Sequence, residues 1–509
     1  MAIACADAQP TDLYTVAQIR AIEQAALDQL PAGTLMQRAG KAVADAALAL
    51  LPKDTSDRRI LIAVGPGNNG GDALVAALEL TKYGVPVSIV MPVAPGDLSP
   101  DAKTALVNAK SKLISHIEFS DLLNNQQWDL VIDGLFGIGL TRAVQGEFRA
   151  LINYLNNLSC PVLAIDVPSG LNADDGSLVG PDGVAVKASI TISFIANKPG
   201  LHTLHGRDYA GAVIVNDLDI SHSLYGLPVA ELNRPALFSS SMHPRAHASH
   251  KGSHGDLFVM GGASGMTGAV LLAARAGAMT GAGRVFAGFL DTAPPFDPVH
   301  LELMCRSAHS LNPTRGAIVV GPGMGMSREA HDLLARMLST DLDLVIDADA
   351  LNLLAVEPGL QQRLIQRRAA TLLTPHPLEA ARLLEMPVEE IQKDRLDAAK
   401  KLASKFQSVV IVKGSGTVIA NYNNADHSIV INTTGNPALA TAGTGDVLAG
   451  LCGSLLAQQW PAWDAALAAV WIHGHAADCM VNEGIGPIGI TAPELVPYLR
   501  KSLNQLLPA

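Results

Sequence analysis

Residues 60–72 read Ile60-Leu61-Ile62-Ala63-Val64-Gly65-Pro66-Gly67-Asn68-Asn69-Gly70-Gly71-Asp72. Five apolar residues end at a glycine turn, and an alanine- and leucine-rich stretch follows. A short apolar run bounded by turn residues and followed by a helix-length segment reads as a buried parallel strand entering a helix. The same pattern recurs in the first half at Val87–Met91, Leu130–Asp133, Val162–Asp166 and Thr191–Ile195. In the second half it recurs at Leu257–Met260, Ala317–Val320, Leu344–Asp347, Thr371–Thr374 and Val409–Val412. Both halves are therefore expected to be layered α/β units. A small hairpin is expected where Thr417–Ala420 and Ser428–Ile431 flank the turn-rich Asn421–His427. A helix is expected over Gly443–Gln458.

The chain has 509 residues, too many for one hydrophobic core. Between about Ile220 and Arg245 periodicity fades while Ser, Pro and His accumulate. The expected division is a first domain over 1–222, a linker over 223–245 and a second domain over 246–509. No fixed-period repeat relates the halves, and their glycine motifs differ, so two folds are joined. A net charge of −11 and only 4% aromatic residues argue against nucleic-acid binding. Cys5, Cys160, Cys305, Cys452 and Cys479 lie far apart, which suits reduced thiols in a cytoplasmic protein. No apolar run reaches the roughly 20 residues of a membrane helix, so no membrane partner is expected.

In an open parallel sheet, ligands sit beyond the carboxyl ends of the strands, close to helix N-termini. Glycines let the backbone approach a pyrophosphate, and free amides at a helix start hold the anion. The Gly65–Asp72 turn has that character, and its side-chain oxygens suit a hard cation. Two more runs end in Asp133-Gly134-Leu135-Phe136-Gly137-Ile138-Gly139 and Asp166-Val167-Pro168-Ser169-Gly170. Each aspartate alone reads equally as a structural cap, but three such ends can converge on one crevice.

Together these motifs resemble the NAD(P)H-hydrate epimerase domain, over about Thr11–Ser221. The resemblance implies a Rossmann-like doubly wound sheet in which Asn69, Asp133 and Ser169 ligate a potassium ion. It implies that Asn68, Asn69, Gly70, Gly71, Asp72, Gly137, Ile138, Gly139, Leu140, Thr141, Arg142, Ala143 and Asp166 contact the hydrated cofactor. Inverting a hemiaminal carbon needs reversible bond breaking helped by an acid–base group, and Asp166 is the expected one. Lys198, in Asn197-Lys198-Pro199-Gly200, reads as a solvated surface lysine, with pairing to a ligand phosphate as the alternative.

In the second half, Gly261-Gly262-Ala263-Ser264-Gly265-Met266-Thr267-Gly268-Ala269 and Gly321-Pro322-Gly323-Met324-Gly325 follow strands. Asp347-Ala348-Asp349-Ala350-Leu351-Asn352, Thr374-Pro375-His376-Pro377 and Lys413-Gly414-Ser415-Gly416-Thr417 close three more. Thr441-Ala442-Gly443-Thr444-Gly445-Asp446 opens the late helix. Amides of Thr444 and Gly445 are placed to form an anion hole at the positive end of its dipole. Asp446 then sits where a base can take a proton from a hydroxyl attacking phosphorus, a role compatible with simple helix capping and preferred to capping alone. His243, His247, His250 and His254 read as part of a polar linker in preference to a zinc site, because Pro244 and Gly252 break any helix through them. His473 and His475 read as packed or surface residues.

This set resembles the ribokinase-like ADP-dependent NAD(P)H-hydrate dehydratase domain, over about Ala246–Leu499. It implies that Lys413, Gly414, Ser415, Gly416, Thr417 and Gly445 bind ADP, giving AMP. It also implies that Ala269, Gly323, His376 and Asp446 contact the hydrated cofactor, with Asp446 as base and Mg²⁺ accompanying ADP. The expected function is epimerisation and ADP-driven dehydration of hydrated NADH and NADPH, by a homo-oligomer. The alternatives are a ribokinase-like kinase for a small alcohol fused to a non-catalytic nucleotide-binding domain, or a binding module without turnover.

Overall fold

The computed structural model describes residues 10–51, 58–109, 111–122, 127–422 and 429–507. The chain divides into two compact units, Met1–Ala230 and Glu231–Ala509.

In the first unit Ile60–Val64 is wholly buried. Side chains alternate across a strand, so Ile60, Ile62 and Val64 enter one core while Leu61 and Ala63 enter another on the opposite face. A strand covered on both faces belongs in the interior of a parallel sheet. The sheet has seven strands, in the spatial order Ile114–Ile117, Val87–Val90, Ile60–Val64, Leu130–Gly134, Val162–Ile165, Ile190–Phe194 and Ala212–Asn216. All its pairings are parallel. The chain works outward from Ile60–Val64 to one edge, then returns to Leu130–Gly134 and proceeds to the other. The crevice between the carboxyl ends of these two strands is therefore the switch point where such sheets take ligands.

In the second unit the order is Ala230–Leu232, Ile429–Ile431, Val418–Ala420, Val409–Val412, Thr371–Leu373, Asp343–Ile346, Ala317–Val320, Asp256–Gly261, Arg284–Phe289 and Met304–Ser307. The pairings from Met304–Ser307 to Val409–Val412 are parallel. Val418–Ala420 then runs antiparallel to both its neighbours. The expected hairpin is thus formed by Val418–Ala420 and Ile429–Ile431, with part of its turn, 423–428, outside the described residues. Here the direction of travel reverses between Asp256–Gly261 and Ala317–Val320, which places this unit's switch point at the two early glycine loops. The late helix, Thr444–Ala457, is apolar nearly all round and correspondingly buried.

Several strands lack the expected apolar run. Ile114–Ile117 is a half-exposed edge containing Ser115 and His116, and Met304–Ser307 is an edge ending in Arg306 and Ser307. The segment 223–245, expected as a linker, carries the strand Ala230–Leu232, whose Glu231 and Leu232 pair with Val430 and Ile431. Phe238 and Met242 lie in the core of the second unit, so that unit begins inside the Ser-, Pro- and His-rich stretch. Among the described residues, no helix is long and apolar enough to cross a membrane.

Candidate active sites

The first site grows from the close approach of two loops at the switch point. Gly65 N donates to Gly134 O at 3.1 Å, and a Cβ on Gly65 would stand 1.7 Å from the Leu135 carbonyl oxygen. Only glycine lets these strand ends touch. Gly65→Ala is expected to destabilise the first unit by about 3 kcal/mol, the upper end of the usual cost of overpacking, because the clash is with backbone that cannot repack. A lowered urea midpoint checks this, and an unchanged midpoint would refute it.

The turn delivers Asn69 and Asp72, both nearly buried, into the start of helix Asn68–Lys82. Asp133, one residue before the end of strand Leu130–Gly134, has no exposure. Its Oδ1 accepts from Ser169 Oγ at 2.6 Å, and its Oδ2 accepts from Ser169 N at 2.8 Å. Burial outweighs these bonds and pushes the carboxyl up to about 6. Asp166 follows Val162–Ile165 with φ +67. A non-glycine residue in this region is strained by about 1–3 kcal/mol, a cost that tends to be met at functional sites. The strain turns its carboxylate toward the Ile138 amide, which approaches Oδ2 at 3.4 Å.

Lys198 is not the solvated lysine expected from its loop. It is completely buried, with Nζ 2.9 Å from Asp166 Oδ1. It also donates to Ser193 Oγ at 2.7 Å, Phe194 O at 3.0 Å and Ala196 O at 3.2 Å. The alternative reading, a partner for ligand phosphate, fails too, because an ammonium has three protons and these are committed inside the protein.

A cavity of about 500 Å³ opens over these groups, lined by Asn68, Asn69, Asp72, Gly137, Ile138, Gly139, Leu140, Thr141, Arg142 and Asp166. Gly70, Gly71 and Ala143 are not on its wall; they pack against Gly65, Met36 and Gly180 respectively. Asp133 and Ser169 lie behind it. Arg20 and Glu23, from helix Val16–Leu27, also line it. Sequence reasoning missed both, since a polar pair on an amphipathic helix looks like an ordinary solvated face. Burial, then the Asp166 charge, raises Glu23. Burial, then Asp166 and Glu23, raises Asp72 well above the ordinary carboxylate range.

The second site assembles from four strand ends and the late helix. Gly323 has φ +55, and a Cβ there would lie 2.4 Å from Met266 O and 3.2 Å from the Ala269 Cβ, so the two glycine loops interlock. Asp347 is buried; its Oδ1 accepts from Thr374 Oγ1 at 2.7 Å and from Lys413 Nζ at 2.9 Å. Ala348, next to it, has φ +49, a second strained non-glycine position, and the helix beginning at Asp349 turns off there. Asp349 Oδ2 accepts from Gly325 N at 2.8 Å. Lys413 N donates to Pro375 O at 2.9 Å, which joins the Lys413–Thr417 turn to the Thr374–Pro377 turn. His376 caps helix Pro377–Leu384, and its Nε2 lies 3.3 Å from Glu379 Oε1.

Glu379 is nearly buried and pushed up to about 7, mainly by burial. It was not singled out in the sequence, although it sits three residues past His376. Arg395, also unforeseen, is buried beneath the Lys413–Thr417 turn and donates to Ser415 O at 2.6 Å, Lys413 O at 3.0 Å and Val412 O at 3.1 Å. Thr417 Oγ1 donates to Gly414 O at 3.1 Å and closes that turn.

Helix Thr444–Ala457 starts from Gly443 at φ +88. A Cβ on Gly445 would lie 3.4 Å from Lys413 Nζ, so the open amide end of the helix faces an ammonium. The Thr444 amide makes a long 3.4 Å bond to Thr441 O, which leaves Gly445 the freer donor of the expected pair. His473 Nε2, 3.0 Å from Thr444 O, buttresses this turn from below, and His475 stacks on Trp471 at 4.6 Å. Asp446 is half-buried. Burial and the Asp347 charge push it up to about 7, against the pull of Lys413. A carboxylate poised there beside an ammonium and a helix N-terminus can accept a proton while an anionic group is held.

The four clustered histidines take no part in either site. His250 accepts from Gly252 N at 3.1 Å, and His254 lies 3.2 Å from Ser249 Oγ.

Residues 257–501 match the family model described as NAD(P)H-hydrate dehydratase, and residues 32–200 match that of the YjeF-related protein N-terminus. The chain is 38% identical over 508 residues to the bifunctional NAD(P)H-hydrate repair enzyme Nnr of Coxiella burnetii, covering 97% of this chain and 100% of that one. It is 35% identical to the protein of that name from Escherichia coli, covering 92% and 89%. Among solved structures, the ADP/ATP-dependent NAD(P)H-hydrate dehydratase of Bacillus subtilis, co-crystallised with ATP and Mg²⁺, is 30% identical with a TM-score of 0.47. That match covers 54% of this chain and 97% of the other.

Proposed function

We infer the chemistry of the two sites from one premise: the chain belongs to the family of bifunctional NAD(P)H-hydrate repair enzymes. The first unit interconverts the R and S hydrates of NADH and NADPH. The second dehydrates the S form with ADP, releasing AMP and phosphate. The observation that carries this is the half-buried Asp446 at the amino end of the late helix, beside Lys413.

The hydrated ring carries a hydroxyl on C6, and hydroxide is a poor leaving group. Asp446 takes the hydroxyl proton as that oxygen attacks the β-phosphorus of ADP, and AMP departs. Lys413, oriented by Asp347, and the Gly445 amide stabilise the charge on the transferring group. The ring nitrogen's electron pair then expels phosphate, and loss of the C5 proton restores the dihydropyridine. Ala269, Gly323 and His376 line the cofactor side, and Gly414, Ser415, Gly416 and Thr417 the nucleotide side. Among the described residues no three His, Cys, Asp or Glu side chains are grouped to hold a metal ion. Mg²⁺ accompanying ADP would neutralise charge on its phosphates.

In the first unit Asp166 serves as an acid–base group at C6, and Asn69, Asp133 and Ser169 hold potassium. Their donors are amide, carboxylate and hydroxyl oxygens, and Asp133 is fully buried with no described lysine or arginine paired to it. A buried carboxylate is costly without a counter-charge, so a hard monovalent cation fits. Those three residues would hold the ion, which would supply the missing charge beside Asp133.

The test incubates the full-length protein with mixed hydrate epimers, with and without ADP. Epimers are counted by chromatography, and the reduced-cofactor absorbance is followed. Recovery of both epimers with ADP is expected. Accumulation of a stable phosphate ester would instead favour a kinase.

A further inference from the structure

We propose that the first unit inverts C6 with two carboxyl groups in opposite protonation states, Asp166 as the base and Asp72 as the acid. This rests on the epimerase reading above and goes beyond it by assigning the second proton carrier and the bond that breaks.

Four carboxyl groups line the cavity, Glu23, Asp72, Asp101 and Asp166, of which Asp101 is exposed. Of these only Asp166 has a buried ammonium against it, Lys198 Nζ at 2.9 Å from Oδ1, an ion-pair contact that fixes one oxygen. Asp72 is 9% exposed and faces the same cavity. Among the described residues no hydrogen bond reaches its carboxyl, and burial with two neighbouring carboxylates favours its neutral form. A pair of carboxyl groups whose surroundings drive their protonation apart is the arrangement that divides acid from base. The two also come from different strand–helix connections. Asp72 follows Ile60–Val64 and Asp166 follows Val162–Ile165, with Leu130–Gly134 between them in the sheet. Both carboxyl groups line the same cavity of about 500 Å³, where a bound ring can meet each of them.

Asp72 gives its proton to the C6 hydroxyl as the C6–O bond breaks. The ring nitrogen's lone pair forms the C6=N bond, and water is released. Water then adds to C6 from the opposite face and loses a proton to Asp166, while the C6=N electron pair returns to nitrogen. One turnover leaves Asp72 ionised and Asp166 protonated. The reverse inversion, or proton exchange with solvent, resets them.

The closing experiment uses the full-length protein without ADP in water enriched in oxygen-18, on a single purified hydrate epimer. Each inverted molecule is expected to carry one solvent oxygen at C6, read by mass spectrometry. Asp72→Asn is expected to slow inversion at least 100-fold while hydrate binding changes less than threefold. Asp72→Glu, which keeps a transferable proton, is expected to restore part of the rate. ADP-driven dehydration of the S epimer should be unaffected in both variants. Inversion with retention of the original oxygen, or an Asp72→Asn rate within threefold of the parent, overturns the two-carboxyl assignment and leaves the epimerase reading standing. No inversion above the spontaneous rate by the parent protein overturns both.

Discussion

Asp446→Asn is expected to lower ADP-driven recovery of reduced cofactor by about 10²–10⁴, the usual worth of a positioned general base. Asparagine keeps the shape at the start of helix Thr444–Ala457 and the hydrogen-bonding oxygen, so the loss reports proton transfer and not helix integrity. The first unit's inversion of the R and S epimers should continue unchanged in the same sample. The parent's pH profile carries the same assignment. Burial and the Asp347 charge hold Asp446 up to about 7. A base works only when deprotonated, so kcat/KM should be full above that pH and fall tenfold per unit below it. Glu379, pushed up to about 7 by burial, titrates over the same range. Glu379→Gln separates the two, since the acid limb should persist in that variant if Asp446 is the base. Unchanged turnover by Asp446→Asn, or loss of the acid limb in Glu379→Gln, would discard the assignment.

Most of what positions these sites is legible in the chain, because it depends on short-range chemistry. Ile60–Val64 cannot be anything but interior: five apolar residues run straight into a glycine turn, and two cores claim alternate side chains. The Lys413–Thr417 and Gly443–Asp446 turns announce themselves through glycines that the backbone requires, at φ +144 for Gly414 and +88 for Gly443. What escaped the reading depends on partners remote in sequence. Glu23 is one acidic residue on a helix with an ordinary polar face until that helix closes a cavity holding Asp72 and Asp166. Arg395 looks like one more exposed cation on helix Arg395–Phe406, yet it is buried against the carbonyls of a turn 17 to 20 residues later. Ala230–Leu232 is too short to have a period of its own, and its pairing with Ile429–Ile431 spans most of the second unit.

Lys198→Met should separate the two activities from the opposite end. The parent ammonium is surrounded by Asp166 Oδ1, Ser193 Oγ and two main-chain carbonyls, with no exposure. Methionine matches its length and its apolar stem but leaves Asp166 as a buried carboxylate with no counter-charge. Breaking one side of a buried ion pair costs about 3–5 kcal/mol, most of it the uncompensated charge. Much of that charge can be relieved by protonating Asp166, and a protonated Asp166 no longer takes a proton from water. Epimerisation is therefore expected to fall at least 100-fold, with dehydration of the S epimer intact. Hydrogen exchange should show strand Val162–Ile165 losing protection while strand Ala317–Val320 keeps it. Combining Lys198→Met with Asp166→Asn removes both charges at once, so the double variant should regain protection without regaining activity. If Lys198→Met inverts the hydrate at the parent rate, the lysine does not set the state of Asp166, and the base must be sought elsewhere on the cavity wall.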